Sequence, residues 1–120
     1  MAKYIDVYLL PLPKKNLAAY KKIATAAGKI FRKHGALTYS EYVESDLKQQ
    51  KGISAFPQVI KLKKGEVLVY SNVTFKSEAH RNKTMKAVFK DKSLEAMMHD
   101  APVFEMTRMV YGGFKVLVDL

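Results

Sequence analysis

The chain opens on a run of β-branched, aromatic and aliphatic residues, Tyr4 to Leu10, which predicts a first strand. Pro11 and Pro13 follow, and because proline has no N–H to give to a ladder they are expected to close it. From Asn16 the apolar period lengthens. Leu17, Tyr20, Ala24, Ala27, Phe31 and His34 recur at steps of three and four, with Ile23 and Ile30 beside them, while the lysines fall mostly off that stripe. This pattern is one face of an amphipathic helix, with Asn16 placed to cap its start and Gly35 placed to stop it.

Leu37 to Val43 alternates apolar and polar residues and predicts a second strand. Glu44 to Lys51 is polar and reads as a loop, and 52–57 reads as irregular. Val59, Ile60 and Leu62 suggest a short extra strand before a turn at Lys63-Lys64-Gly65-Glu66. Val67 to Phe75 is a strong strand. Ser77 can cap a second helix reaching about Phe89, with an apolar stripe of Met85, Val88 and Phe89 and Arg81 on the same side, and Lys92 to Met98 suggests a further short helix. Arg108 to Val118 is the last strand, interrupted by Gly112-Gly113, where a bulge or the close approach of another group is expected.

Strand, helix, strand, strand, helix, strand is the order of an α+β, ferredoxin-like βαββαβ fold with an antiparallel sheet and both helices on one face. The uncovered face should then be polar, and it is not. Strand one offers Ile5, Val7 and Leu9 to one side but Tyr4, Tyr8 and Leu10 to the other. The last strand likewise sets Val110, Phe114 and Val116 against Met109, Tyr111 and Leu117. Leaving such groups in water is costly and invites association, so a second copy stacked sheet to sheet is expected, with a bound ligand as the rival explanation.

Composition adds bounds. Apolar residues make up 48% and charged residues 27%, a globular balance, and residues 1–120 are expected to form one domain. The chain has no cysteine, which excludes disulfides, thiolate catalysis and Cys-ligated metal and fits a reducing compartment. The opening apolar run is too short and interrupted for a signal peptide or membrane span, so a cytoplasmic protein without membrane contact is expected. The net charge of +10 makes nucleic acid an alternative partner, although most of the excess is Lys and reads equally as a solvated surface.

Candidate chemistry is sparse. His34, His80 and His99 show no paired spacing for a metal, and there is no nucleophile elbow, phosphate loop or dinucleotide fingerprint, so neither a metal nor a cofactor is expected. His99 falls in a loop and reads as surface. Arg81 and Arg108 lie on otherwise apolar elements, where a guanidinium needs a carboxylate or an anionic ligand. Asp6 and Glu41 are the candidate carboxylates, and Tyr39 and Tyr111 could pack against a planar ligand. His34 or His80 could move a proton. An internal ion pair is the competing explanation for each arginine. Tyr111-Gly112-Gly113-Phe114 is only weakly similar to an aromatic RNA-binding motif, being on the wrong strand and lacking the leading basic residue.

Several blocks carry a family resemblance. They are Tyr4-Ile5-Asp6 with the Pro11 and Pro13 exit, His34-Gly35-Ala36 with Tyr39 and Glu41, Phe56-Pro57, Lys64-Gly65-Glu66, Ser77 with Ala79-His80-Arg81, and Arg108-Met109 leading into Tyr111-Gly112-Gly113-Phe114. Together they resemble the YbaA-like bacterial family, a domain of unknown function (DUF 1428), nearly end to end. One departure is Asn82, where that family typically has an acid after the His-Arg pair. The resemblance implies a dimeric α/β barrel. Its wider superfamily, which includes cofactor-independent monooxygenases, haem-handling enzymes and ligand-binding regulators, implies a homodimeric small-molecule-binding protein with oxygenase- or isomerase-like chemistry. In that reading Arg81 and Arg108 would hold an anionic oxygen. A dimer with no catalytic activity is the remaining alternative.

Overall fold

A computed structural model describes residues 2–98 and 103–120; His99 lies outside the described residues. Four strands, β1 (Tyr4–Pro13), β2 (Thr38–Val43), β3 (Glu66–Phe75) and β4 (Val110–Lys115), form one sheet in the order β2-β3-β1-β4, antiparallel throughout. Helices α1 (Leu17–Lys33) and α3 (Glu78–Lys90) follow β1 and β3, with a four-residue turn of helix α2 (Phe56–Val59) and a short α4 (Lys92–Met98) between them and the neighbouring strands. This is the split βαβ arrangement expected from the element order, an α+β ferredoxin-like fold.

β1 does not end at the prolines. It pairs with β3 through Pro11↔Leu68 and Pro13↔Glu66, whereas its pairing with β4 stops at Leu9↔Val110. The ladder explains the tolerance. Lys14 donates its N–H to Gly65 at 2.8 Å, and Val116 donates to the Lys3 carbonyl at 3.0 Å, so odd-numbered residues of β1 turn their backbone groups toward β4. Pro11 and Pro13 are odd, and the donors they lack would point where β4 no longer runs.

α1 ends in a Schellman motif: Gly35 sits at φ +117°, its N–H bonds the Arg32 carbonyl at 3.2 Å, and the Ala36 N–H bonds the Phe31 carbonyl at 3.0 Å. Asn16 stands at the N-cap position without capping; its Nδ2 donates to the Val103 carbonyl at 2.9 Å instead. The strand expected around Val59 to Leu62 is absent. Gln58 Oε1 accepts the Ala55 N–H at 2.6 Å and starts α2, which takes Val59 into a helical turn, and residues 60–62 join none of the four strands. Gly112 and Gly113 make no bulge, since pairing to β1 is continuous from Val110 to Lys115.

Register fixes which residues share a face. Tyr4, Asp6, Tyr8, Leu10 and Leu12 of β1 lie beneath the helices, and so do Val69, Ser71, Val73 and Phe75 of β3. The core there is in two parts. One gathers Tyr4, Ala36, Val73 and Phe75 with Phe31 and Tyr39. The other gathers Leu10, Leu12 and Val69 with Leu17, Tyr20 and Phe104. Between them runs a row across all four strands, Tyr111, Tyr8, Ser71 and Glu41, with Gly113, Asp6, Val73 and Tyr39 as the adjoining row. The polar chemistry of the molecule is concentrated on these two rows. The opposite face carries Ile5, Val7, Leu9, Val110, Phe114 and Val116 on its β1–β4 half, and Phe114 is 56% exposed.

Candidate functional site

At the β4 end of the two rows Asp6 is fully buried, at 0% exposure. Arg81 reaches it from the first turns of α3. Its Nε lies 3.8 Å from Asp6 Oδ1, its Nη1 donates to the Tyr111 hydroxyl at 2.9 Å, and its Nη2 donates to the Tyr4 hydroxyl at 2.7 Å. Tyr111 in turn donates to Asp6 Oδ1 at 3.2 Å and stacks against Tyr8 with ring centroids 4.9 Å apart. Burial pushes the Asp6 carboxyl above its ordinary range, and Arg81 and the Tyr111 hydroxyl pull it partly back. Asp6 Oδ2 and Arg81 Nε are buried without a partner, leaving one acceptor and one donor uncommitted. The glycine at 113 makes the approach feasible, since a Cβ there would lie 2.2 Å from the Tyr4 hydroxyl and 3.2 Å from Arg81 Nη2.

At the β2 end, Glu41 accepts hydrogen bonds from two tyrosines, Tyr20 of α1 on Oε1 and Tyr39 on Oε2. Burial, reinforced by the Glu41 charge, pushes both phenols well above their usual range, so both remain protonated donors. A cavity of about 740 Å³ opens here between α1 and β2. Its walls are Leu17, Tyr20, Ala24 and Gly28 of α1, with Tyr39, Glu41 and Val43 of β2 and Val69 of β3, and exposed Lys21, Lys29 and Arg32 line it from α1. Gly28 is buried in mid-helix for a reason. A Cβ would come within 2.7 Å of the Tyr39 ring, so only glycine lets that ring lie against α1 with its hydroxyl on Glu41. Tyr8 links the two ends. Its phenol is raised first by burial and then by the Asp6 and Tyr111 charges, and it stands two residues from Asp6 on the same face and across Ser71 from Glu41.

The structure therefore brings Asp6, Arg81 and Tyr111 together, and Tyr39 with Glu41. It places the other candidates elsewhere. Arg108 grips Glu66 with two bonds, Nη1–Oε2 at 2.6 Å and Nη2–Oε1 at 2.8 Å, and donates to the Lys61 carbonyl at 2.7 Å, so the two arginines do not share a site. His34, at the end of α1, bonds Asp91 through Nε2 at 2.6 Å and fastens α1 to the junction of α3 and α4. His80 closes the start of α3. Its N–H bonds Ser77 Oγ at 3.0 Å, its Nδ1 accepts the Lys76 N–H at 2.9 Å, and its ring meets Phe75 edge-on. Asn82 is exposed on α3. Tyr4, Tyr8, Tyr20, Gly28 and the α1 cations were not marked as site residues by sequence pattern. The tyrosines and Gly28 sit on apolar stripes where core packing is the ordinary role, and only a glycine inside a helical period was a signal. Among the described residues no cluster of three metal-ligating side chains occurs, and no helix is long and apolar enough to cross a membrane.

A family model described as "Protein of unknown function (DUF1428)" matches residues 3–106. The chain belongs to that family. It is similar to the uncharacterized protein YbaA of Escherichia coli K12, with 28% identity over 117 residues and 98% of each chain covered, and to YbaA of Shigella flexneri with the same figures. In fold it is similar to the crystal structure of a dimeric ferredoxin-like protein from an uncultured marine organism, with a TM-score of 0.59 over all of this chain and 92% of that one. Identity there is 6%, so that likeness speaks for the fold alone. Some of the family blocks noted in the sequence meet on the helix-covered face, while Pro11, Phe56 and Arg108 line a cavity on the other side. Asp6, Tyr39, Glu41, and Tyr111 with Gly113 belong to the two polar rows, and Tyr4 and Arg81 join them through the Arg81 bonds to the Tyr4 and Tyr111 hydroxyls.

Proposed function

We propose that this chain is a homodimeric small-molecule-binding protein of the cytoplasm whose ligand, an anion with a planar or apolar body, occupies the cavity between α1 and β2. The observation that carries the reading is the cavity itself. Its volume of about 740 Å³ suits a metabolite-sized guest, its wall is aromatic and aliphatic, and three cations of one helix stand at its opening. An apolar body would pack on Tyr39 and Val69, and an acidic group would meet Lys21, Lys29 and Arg32.

His34, His80 and Arg108 do not line this cavity, and Glu41 is the carboxylate that does. Its two oxygens are committed to Tyr20 and Tyr39. Isomerase-like proton transfer, as the superfamily likeness suggests, would require the ligand to draw one tyrosine off Glu41 and free it as a base. The dimer is supported by the uncovered apolar half of the sheet, and by the dimeric description of the fold neighbour.

The test is a fluorescence titration with anilinonaphthalene sulfonate, a planar aromatic anion, beside native mass spectrometry of freshly purified protein. Saturable binding that falls at least about tenfold in the Lys21→Glu/Lys29→Glu variant, and that is blocked by Thr25→Trp at the cavity mouth, is the expected result. Binding unchanged in both variants would remove the cavity from consideration.

A further inference from the structure

A second cavity, of about 570 Å³, lies on the uncovered sheet face. Its floor is Leu9, Pro11 and Val110, and its wall is Phe56, Val59 and Ile60. That wall belongs to the long connection between β2 and β3, which crosses beneath the sheet to the β1–β4 edge and exposes Ile53, Phe56 and Val59 to solvent. Connections of such length in a small domain are uncommon and are often functional. From residue 51 to residue 65 this connection holds four lysines and no acid.

The segment after β4 has the complementary character. Val116, Leu117, Val118 and Leu120 are all exposed, Leu117 at 94%, and the one charge among residues 116–120 is Asp119. This segment does not reach the cavity of its own chain. Val116 is bonded to Lys3 at the far end of β1, so Leu9 is six residues back along the strand, about 20 Å away at the strand rise. Residues 117–120 span at most about 14 Å when fully extended. A two-fold axis lying between facing sheets and perpendicular to the strands reverses the strand direction. It carries the Tyr4 end of one sheet over the Leu9 end of the other.

We propose that residues 116–120 of one copy dock into the Phe56–Val59 cavity of a second copy, with Asp119 set against the lysines of the β2–β3 connection, and the reverse contact completing the pair. This rests on the homodimer reading above and says how the two copies are held. The exposed apolar residues of the tail and of the connection are thereby covered by one exchange, and each cavity is completed by the partner's chain.

The absence of native cysteine gives a clean cross-linking background. Leu120→Cys/Val59→Cys is oxidised with copper phenanthroline, with each single variant as control, and wild type and Leu117→Ser/Leu120→Ser are sedimented across a dilution series. The proposal expects a wild-type dimer, covalent dimer from the double-cysteine chain well above either control, and a dimer dissociation constant raised at least about tenfold by the serine variant. A wild-type dimer that neither cross-links above the controls nor weakens with serine overturns the docking and leaves the homodimer standing. A wild-type chain that sediments as a monomer overturns both. The serine changes fall on exposed positions, and circular dichroism confirms that the fold persists.

Discussion

Gly113 shows how tightly the buried polar cluster is built. With a Cβ 2.2 Å from the Tyr4 hydroxyl, Gly113→Ala must displace Tyr4 or Arg81, whereas Gly112→Ala meets nothing nearer than a Phe114 ring atom at 3.4 Å. Overpacking of this kind costs about 1–3 kcal/mol, so Gly113→Ala should lower the denaturant midpoint clearly and Gly112→Ala far less. Asp6 in this cluster, together with two carboxylates elsewhere, sets a pH response with two opposed parts. Asp6 holds its proton more tightly folded than unfolded, so its contribution to stability improves as pH falls from neutrality toward its ordinary value of 3.8. Glu66, lowered chiefly by its bonds to Arg108, and Asp91, lowered chiefly by His34, behave oppositely. Their stabilisation is whole above the ordinary values of 4.5 and 3.8 and is lost as pH falls through their depressed folded values. Asp6→Asn removes the first part alone. Thermal midpoints of wild type and Asp6→Asn, followed from neutral pH to 3.8, should show wild type gaining on the variant as acid is added; parallel curves would contradict the assignment.

At the scale of elements, α3 matters because it delivers Arg81. Its start is defined by Ser77, whose Oγ accepts the His80 N–H at 3.0 Å and whose carbonyl accepts the Arg81 N–H at 2.9 Å. Ser77→Ala should cost about 1 kcal/mol of unfolding free energy, and Ser77→Asp, which also caps, should restore most of it in the same denaturation assay. The strongly periodic helix α1 and the strand β3 were legible because each has one unbroken pattern between recognisable stops. The proline-bearing end of β1 was not, because whether a missing donor matters depends on where the neighbouring strand ends. The apolar residues at 59–62 suit a strand, yet a strand requires a partner to pair with, and Val59 is instead drawn into the helical turn α2.

At the scale of the whole molecule, the chain measures 40 × 40 × 20 Å with a radius of gyration of 15.3 Å. A compact chain of this length would have a radius near 14 Å. The chain is a two-layer slab, and its uncovered layer is where Phe114, Val110 and Val116 stand exposed. A lysine at the centre of a stacked sheet interface would be buried unpaired. In the homodimer proposed above, Phe114→Lys should therefore leave a folded monomer, seen by sedimentation equilibrium with unchanged circular dichroism. A dimer that survives the change would place the interface elsewhere.

Period and punctuation alone determined the order of the four main strands and two main helices and the presence of large apolar residues on both sheet faces, because those depend on neighbours a few positions away and on turn chemistry. They also supplied Asp6, Tyr39, Glu41, Arg81 and Tyr111 as polar groups out of place on apolar elements. Only the tertiary structure decided their company. Strand register put Asp6 beside Gly113 and Glu41 beneath Tyr20, α3 carried Arg81 to Tyr4 and Tyr111, and Arg108 went to Glu66 instead. A charge on a strand must find a partner, but which partner it finds is set by distances between elements far apart in the chain, and no local pattern encodes those.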